Sequence, residues 1–264
     1  VCYCHTPPRA LYGYTTLSDW QRKPIIGFLG KLLNHYLRVV DYQIAQKVDV
    51  FIANSEETRR RITKFYRRDA VVIHPPVDVP DEQPRRLGST QHEVGYYLYV
   101  NRLALAKHPE MAVEACAKRR LPLKVVGQGK MLPQLKQLAA RYHAQTIEFL
   151  GGVDDEQLSE LYAGARALLY PVEDEDFGMV PVEAMGHGVP VIAHASGGPL
   201  ETVVDGQTGV LFEDLSTVGL LGALERFEKL HFSPKAIHGF AQQFNKQQFQ
   251  RKLLELVTAL NGST

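Results

Sequence analysis

Glu175 and Glu183 stand eight residues apart, on either side of Asp176-Phe177-Gly178-Met179-Val180-Pro181-Val182. The pattern starts a helix near Met179, with Pro181 tolerated in its first turn. Peptide N–H groups at such a start lack partners inside the helix, so those of Gly178, Met179 and Val180 offer a place for an anion such as phosphate. A carboxylate repels phosphate but accepts hydrogen bonds from two sugar hydroxyls at once. One acid on the loop and one just over a turn inside the helix therefore suit a ligand that joins phosphate to sugar. The plain alternative is an acidic loop that caps the helix.

A second segment, Asn101-Arg102-Leu103-Ala104-Leu105-Ala106-Lys107, directly follows an apolar run. Arg102 as a fork and Lys107 as a point charge can converge on one diphosphate, although two surface cations look the same in isolation. Gly127-Gln128-Gly129 either lets backbone approach a ligand closely or makes an ordinary turn. It lacks the third glycine of a dinucleotide fingerprint, and the chain has no P-loop, so nicotinamide and P-loop chemistry are not expected. In Ser196-Gly197-Gly198-Pro199-Leu200-Glu201 the acid is a ligand contact or simply a helix N-terminal acid. No pair among the ten histidines has metal-ligand spacing with a third donor, so no metal site is expected. His5, in Tyr3-Cys4-His5-Thr6-Pro7, follows a strand end and is a candidate cleft residue.

These residues need a frame, and the hydropathy pattern describes one. Helical periodicity over residues 30–47 and 56–66 alternates with short strands at 48–53 and 70–73. Pro75-Pro76 stops the last strand, and the polar stretch 81–93 reads as a linker. Beyond it, strands at 96–100, 123–126, 146–150, 167–170, 189–193 and 210–212 alternate with helices at 109–119, 131–141, 155–163 and 179–186. Helical stretches at 216–230, 234–244 and 247–260 close the chain. Strands this apolar on both faces belong in a parallel sheet covered by helices on two sides. The expected class is α/β, with a partial first domain at 1–80, a Rossmann-like second domain at 81–245 and a terminal helix within 246–264. Ligands of such sheets bind outside the carboxyl ends of the strands, where all the segments above lie.

Composition narrows the classes further. With 45% hydrophobic and 22% charged residues in 264, the chain is neither disordered nor collagen nor a coiled coil. No apolar run approaches 18 residues and no signal peptide is read at the start; Val1 already lies in strand-like sequence, so a fragment lacking its N-terminal part is expected. Three cysteines, two of them at Cys2 and Cys4, fit a reducing, cytoplasmic compartment. Residues 1–80 carry 12 Lys/Arg against 7 Asp/Glu, and residues 81–264 carry 18 against 22. The basic first lobe is expected to meet a membrane surface peripherally. Six of its cations fall between Arg59 and Arg68; they read as a solvated helix face, with nucleic-acid binding the weaker rival.

Taken together the segments resemble the retaining glycosyltransferases of the GT-B fold, family 4. The resemblance runs through Tyr3 to Pro7, Phe51-Ile52-Ala53-Asn54-Ser55, Val72-Ile73-His74-Pro75-Pro76-Val77-Asp78, Arg102 to Lys107, Phe149-Leu150-Gly151, Glu175 to Glu183 and Gly197-Gly198 to Glu201, and it implies that the terminal helix within 246–264 crosses back to the first domain. The Tyr-Cys-His-Thr-Pro and Glu-Asp-Phe-Gly forms look most like bacterial mannosyltransferases of O-antigen and other surface polysaccharides. The resemblance implies a nucleotide-diphosphate sugar, GDP-mannose, on the second domain and a glycan or lipid-linked acceptor, with neither metal nor cofactor and no nucleic acid. In it Arg102 and Lys107 match the diphosphate clamp, Val153 the backbone beside the base, and Glu175 the catalytic-site acid that holds the transferred sugar. Phe177, Gly178, Met179 and Val180 match the amides beneath sugar and phosphate, Glu183 matches the ribose-binding acid, and Gly127 joins the donor-binding positions. Leu11-Tyr12-Gly13-Tyr14 replaces the family's aromatic-Trp-Asp, which weakens the match at His5. The rival reading is a non-catalytic nucleotide-binding or scaffold module.

Overall fold

A computed structural model describes residues 1–14, 24–82 and 95–262 of the chain. Two compact units result, Val1–His74 and Pro75–Thr264. The expected boundary after residue 80 moves upstream. Val77 N–H donates to the Phe244 carbonyl at 3.0 Å and pairs with Asn245, while Val77 and Val79 are buried in the second unit's core. Of the expected linker only Asp81 and Glu82 are among the described residues.

In the first unit three short parallel strands, β1 (Cys2–Cys4), β2 (Phe51–Ala53) and β3 (Ala70–Val72), lie in that order. The helices between them are α1 (Pro24–Ala45) and α2 (Glu56–Tyr66). Ser55 starts α2 by accepting the Thr58 N–H, and Glu56 and Glu57 place negative charge in its first turn. Val48 and Asp49 make no strand pairing and Val50 pairs only through its carbonyl, which accepts the Cys2 N–H at 2.8 Å, so β2 is shorter than its apolar run; the chain turns before it by hydrogen bonds back to the end of α1. Ala45, Phe51, Ala53, Ile62 and Tyr66 form a small core.

The basic run 59–68 is mostly spoken for. Arg59 and Arg60 pair with Glu56 and Glu57 one turn back. Arg61, only 1% exposed, pairs with Glu57 at 2.9 Å and lies over the Tyr14 ring. Arg68 donates to the carbonyls of Ala45, Gln46, Val48 and Asp49, and so ties the turn after α1 to the start of β3. Two of the six cations are therefore structural rather than a solvated face.

In the second unit six parallel strands alternate with helices: β4 (Tyr96–Val100), α3 (Pro109–Arg119), β5 (Leu123–Val126), α4 (Leu132–Arg141), β6 (Ile147–Gly151), α5 (Asp155–Gly164), β7 (Ala165–Tyr170), α6 (Met179–Gly186), β8 (Val191–His194), α7 (Pro199–Thr202) and β9 (Gly209–Phe212). After β9 come α8 (Thr217–Phe227), α9 (Pro234–Ala241) and α10 (Lys246–Gly262). Strand order is β6-β5-β4-β7-β8-β9, so the winding reverses between β4 and β7, which is the Rossmann arrangement. Tyr97, Leu98, Ala167, Leu168, Leu169, Val191 and Ile192 are fully buried, as central strands covered on both faces must be. The terminal helix α10 groups with this unit and has no buried residue.

Candidate functional site

At the switch point the first strands of the two half-sheets part, and the loops after β4 and β7 border the same crevice. Each loop is locked to its neighbours by backbone. After β4, Leu103 N–H donates to Gln128 O at 2.9 Å and Leu103 O accepts from Met131 at 3.2 Å. Gly127 N–H donates to Gly151 O at 2.7 Å, so the rims of β4, β5 and β6 form one hydrogen-bonded edge. Gly127 stands at φ +129°, and a Cβ there would lie 1.9 Å from the Asn101 carbonyl. Its glycine is required by the approach of protein backbone at Asn101. Val153 follows this edge, half-buried against the core.

The other rim is built the same way. Gly198 N–H donates to Glu175 O at 2.8 Å, and Ser196 Oγ accepts the Asp174 N–H at 3.0 Å. Cβ atoms on Gly197 and Gly198 would meet the carbonyls of Glu175 and Phe177 at 2.1 and 2.0 Å. The glycine pair thus lets the turn before α7 slide under the loop that carries Glu175. Phe177 itself is buried and meets Phe244 edge-on at 5.6 Å, so only its backbone is on offer to a ligand. Gly178, at φ +84°, begins α6 with no side chain capping it, and Met179 is exposed. The first N–H groups of α6 therefore keep their anion-binding capacity.

Across the crevice Lys107 Nζ meets Glu175 Oε2 at 2.5 Å. This pair joins residues 68 positions apart and bridges the two rims at the point where the sheet reverses. Two buried tyrosines support it: Tyr99 of β4 donates to the Lys107 carbonyl at 2.9 Å, and Tyr170 of β7 donates to Glu175 Oε2 at 2.8 Å. Neither tyrosine stands out in the sequence, where both read as strand residues; their one signal is an aromatic hydroxyl near a strand's carboxyl end. Arg102 is exposed on the same loop as Lys107.

Glu183 faces a different neighbourhood. Its Oε2 lies 3.5 Å from the hydroxyl of the buried Tyr162 of α5. Burial pushes its carboxyl above the usual carboxylate range, the Tyr162 hydroxyl opposes that, and the negative charges of Asp78 and Asp155 add to it. His187 fixes the end of α6 by bonding the Glu183 carbonyl at 2.9 Å and Ser159 Oγ at 3.0 Å, and burial lowers its pKa. His5 belongs to the first unit: it is exposed, meets Tyr3 edge-on at 5.2 Å, and its carbonyl accepts from Thr58. Among the described residues no three His, Cys, Asp or Glu side chains cluster as metal ligands, and no helix is long and apolar enough to cross a membrane.

Comparison with known proteins places this crevice in context. A D-inositol 3-phosphate glycosyltransferase of Geodermatophilus obscurus is 35% identical over 196 residues, covering 65% of this chain and 43% of the relative. The alpha-1,3/1,6-mannosyltransferase ALG2 of Kluyveromyces lactis is 28% identical over 248 residues, 77% of this chain and 47% of ALG2. The chain thus spans about half the length of these curated relatives. Among solved structures, sucrose-phosphate synthase of Thermosynechococcus elongatus superimposes with a TM-score of 0.77 at 21% identity, over 99% of this chain and 68% of that one. HepE of Anabaena, solved in complex with UDP, gives a TM-score of 0.73 at 19% identity, over 90% and 77%. The fold is the α/β GT-B type with a Rossmann-like second unit. With the profile of the glycosyl transferases group 1 matching residues 82–256, the chain belongs to that family.

Proposed function

We propose that the second unit binds a nucleotide-diphosphate sugar and that the protein transfers the sugar, with retention, to a glycan or lipid-linked acceptor. The observation that carries this is the Lys107–Glu175 pair at the switch point, where a phosphate-seeking cation and a hydroxyl-seeking acid share one crevice beside the start of α6. Arg102, Lys107 and the α6 N–H groups take the negative charge that develops on the departing diphosphate. Glu175 holds hydroxyls of the sugar, Glu183 those of the ribose, and the backbone at Val153 lies beside the base. In the transfer the bond from C1 to the diphosphate oxygen breaks, C1 bonds the acceptor oxygen on the same face, and the acceptor's proton passes to the diphosphate. No nucleophile from the protein is needed. Mannose with GDP is the donor proposed; the ALG2 likeness supports mannose, and the UDP carried by HepE keeps uridine donors in the trial. A reducing, cytoplasmic setting with peripheral membrane contact belongs to the same reading, supported by Cys2, Cys4 and Cys116 standing outside any disulfide.

Calorimetry with GDP, GDP-mannose, UDP and UDP-glucose tests the donor site. One base is expected to bind, and Arg102→Ala and Lys107→Ala each to weaken it at least about tenfold by removing a charge-assisted contact. Absence of binding with all four ligands, or affinities indifferent to both substitutions, overturns the reading. Binding without turnover on any acceptor favours the nucleotide-binding module instead.

A further inference from the structure

Tyr170 ends β7 with its side chain 2% exposed, and its hydroxyl donates to Glu175 Oε2. Lys107 Nζ reaches the same oxygen, and among the described residues Oε1 takes no hydrogen bond. The carboxylate is therefore held at one oxygen and presented at the other. Its two anchors differ in kind. Lys107 swings on a flexible four-carbon stem and serves whichever anion is nearer. The Tyr170 ring is fixed in a strand by packing and has no competing anion to serve, and burial above all, with Glu175 beside it, keeps the phenol protonated as a donor.

A diphosphate bound at this rim draws on the ammonium of Lys107, and the acid then loses one of its two ties. We propose that Tyr170 is a positioning residue of the donor site: its hydroxyl keeps Glu175 seated at the end of β7 while Lys107 turns to phosphate, so that Oε1 stays aimed at a sugar hydroxyl. The inference rests on the donor reading above and adds to it the group that makes Glu175 independent of Lys107. A sugar-holding acid that moved with the phosphate-holding cation would couple two contacts that have to be made together.

Tyr170→Phe removes the hydroxyl and leaves the ring, so calorimetry on the full chain reads the hydroxyl's bonds to Glu175 and to the Asn101 side chain, and the Glu175→Ala background separates the two. Affinity for the nucleotide sugar, GDP-mannose or UDP-glucose, is expected to fall about five- to tenfold, the net worth of one ordinary hydrogen bond. Affinity for the matching nucleoside diphosphate, which has no sugar for Glu175 to hold, is expected to change less than about twofold. In a Glu175→Ala chain, Tyr170→Phe is expected to change nothing further, whereas a merely structural tyrosine would still cost affinity there. Equal losses for sugar and diphosphate ligands, no loss for either, or a loss that persists beside Glu175→Ala overturns the proposal. A wild-type chain that binds the diphosphates and the sugars equally well tells against Glu175 as the sugar contact; one that binds none overturns the donor reading and this inference together.

Discussion

Glu183 shows how a single acid can carry two pH dependences. Burial raises its folded-state pKa above the value it has in the unfolded chain. Between those two values the folded state holds more protons, so stability falls as pH rises through the window, and above it the full cost of a buried charge remains. Glu183→Gln removes that cost. Its melting temperature is expected to exceed that of wild type near pH 7, with the difference shrinking as pH drops toward the ordinary carboxylate range; thermal melts at four or five pH values check this. An equal gap at every pH tells against burial as the cause. The proposed donor binding runs the other way: if Glu183 holds the ribose as proposed, its carboxylate must be charged, so wild-type affinity is expected to weaken on acidification at a pH higher than an exposed glutamate would give. The role of residue type was open to inspection in the chain, because acids and cations at the carboxyl ends of apolar runs have few other reasons to gather. Their pairing was not. Lys107 and Glu175 meet across 68 positions, and a single sequence holds no distance between them. Tyr99, Tyr162 and Tyr170 were hidden for another reason: a buried phenol is apolar to a periodicity and polar only to the partner its hydroxyl finds.

The strands and helices of the second unit follow their apolar runs to within a few residues, because parallel strands covered on both faces leave a pattern no loop can mimic. The ends of elements are where prediction and structure part. The stretch read as one helix from 234 to 244 is α9 followed by a tighter 3-10 turn, Gln242–Phe244, and α8 stops at Phe227 rather than 230. Gly198 shows what such ends demand. Its added Cβ would lie 2.0 Å from a backbone oxygen, and backbone cannot swing aside as a side chain can. Gly198→Ala is expected to cost about 1–3 kcal/mol and to weaken the proposed donor binding, since the displaced carbonyl is that of Phe177, two residues before the start of α6. Gly222→Ala is the control: it lies inside α8 with nothing within 4 Å of the new Cβ, and alanine there is expected to stabilise by about 0.5–1 kcal/mol. Urea titration of both variants, beside calorimetry, separates the two expectations. An unaltered Gly198→Ala chain contradicts the close packing of the turn before α7 under the loop that carries Glu175.

At the scale of the molecule the cores are separate in sequence. The buried cluster of the first unit ends with Tyr66, and that of the second begins with Val77. A polypeptide of residues 75–264 is therefore expected to melt cooperatively and to bind the same nucleoside diphosphate within about threefold of the full chain, because every group proposed to touch the donor lies after residue 75. Circular dichroism melts and calorimetry decide it; loss of the transition would mean that the first unit is needed to complete the second. One consequence concerns how an anion first finds this rim. With an acid 2.5 Å from its ammonium, Lys107 projects a short dipole rather than a monopole beyond the Debye length of about 8–10 Å at ordinary salt. Long-range attraction at the crevice then comes from Arg102 and the peptide dipoles of α6, so the bimolecular encounter rate is expected to bend only gently with ionic strength, and discrimination among donors to reside in how slowly the right one departs.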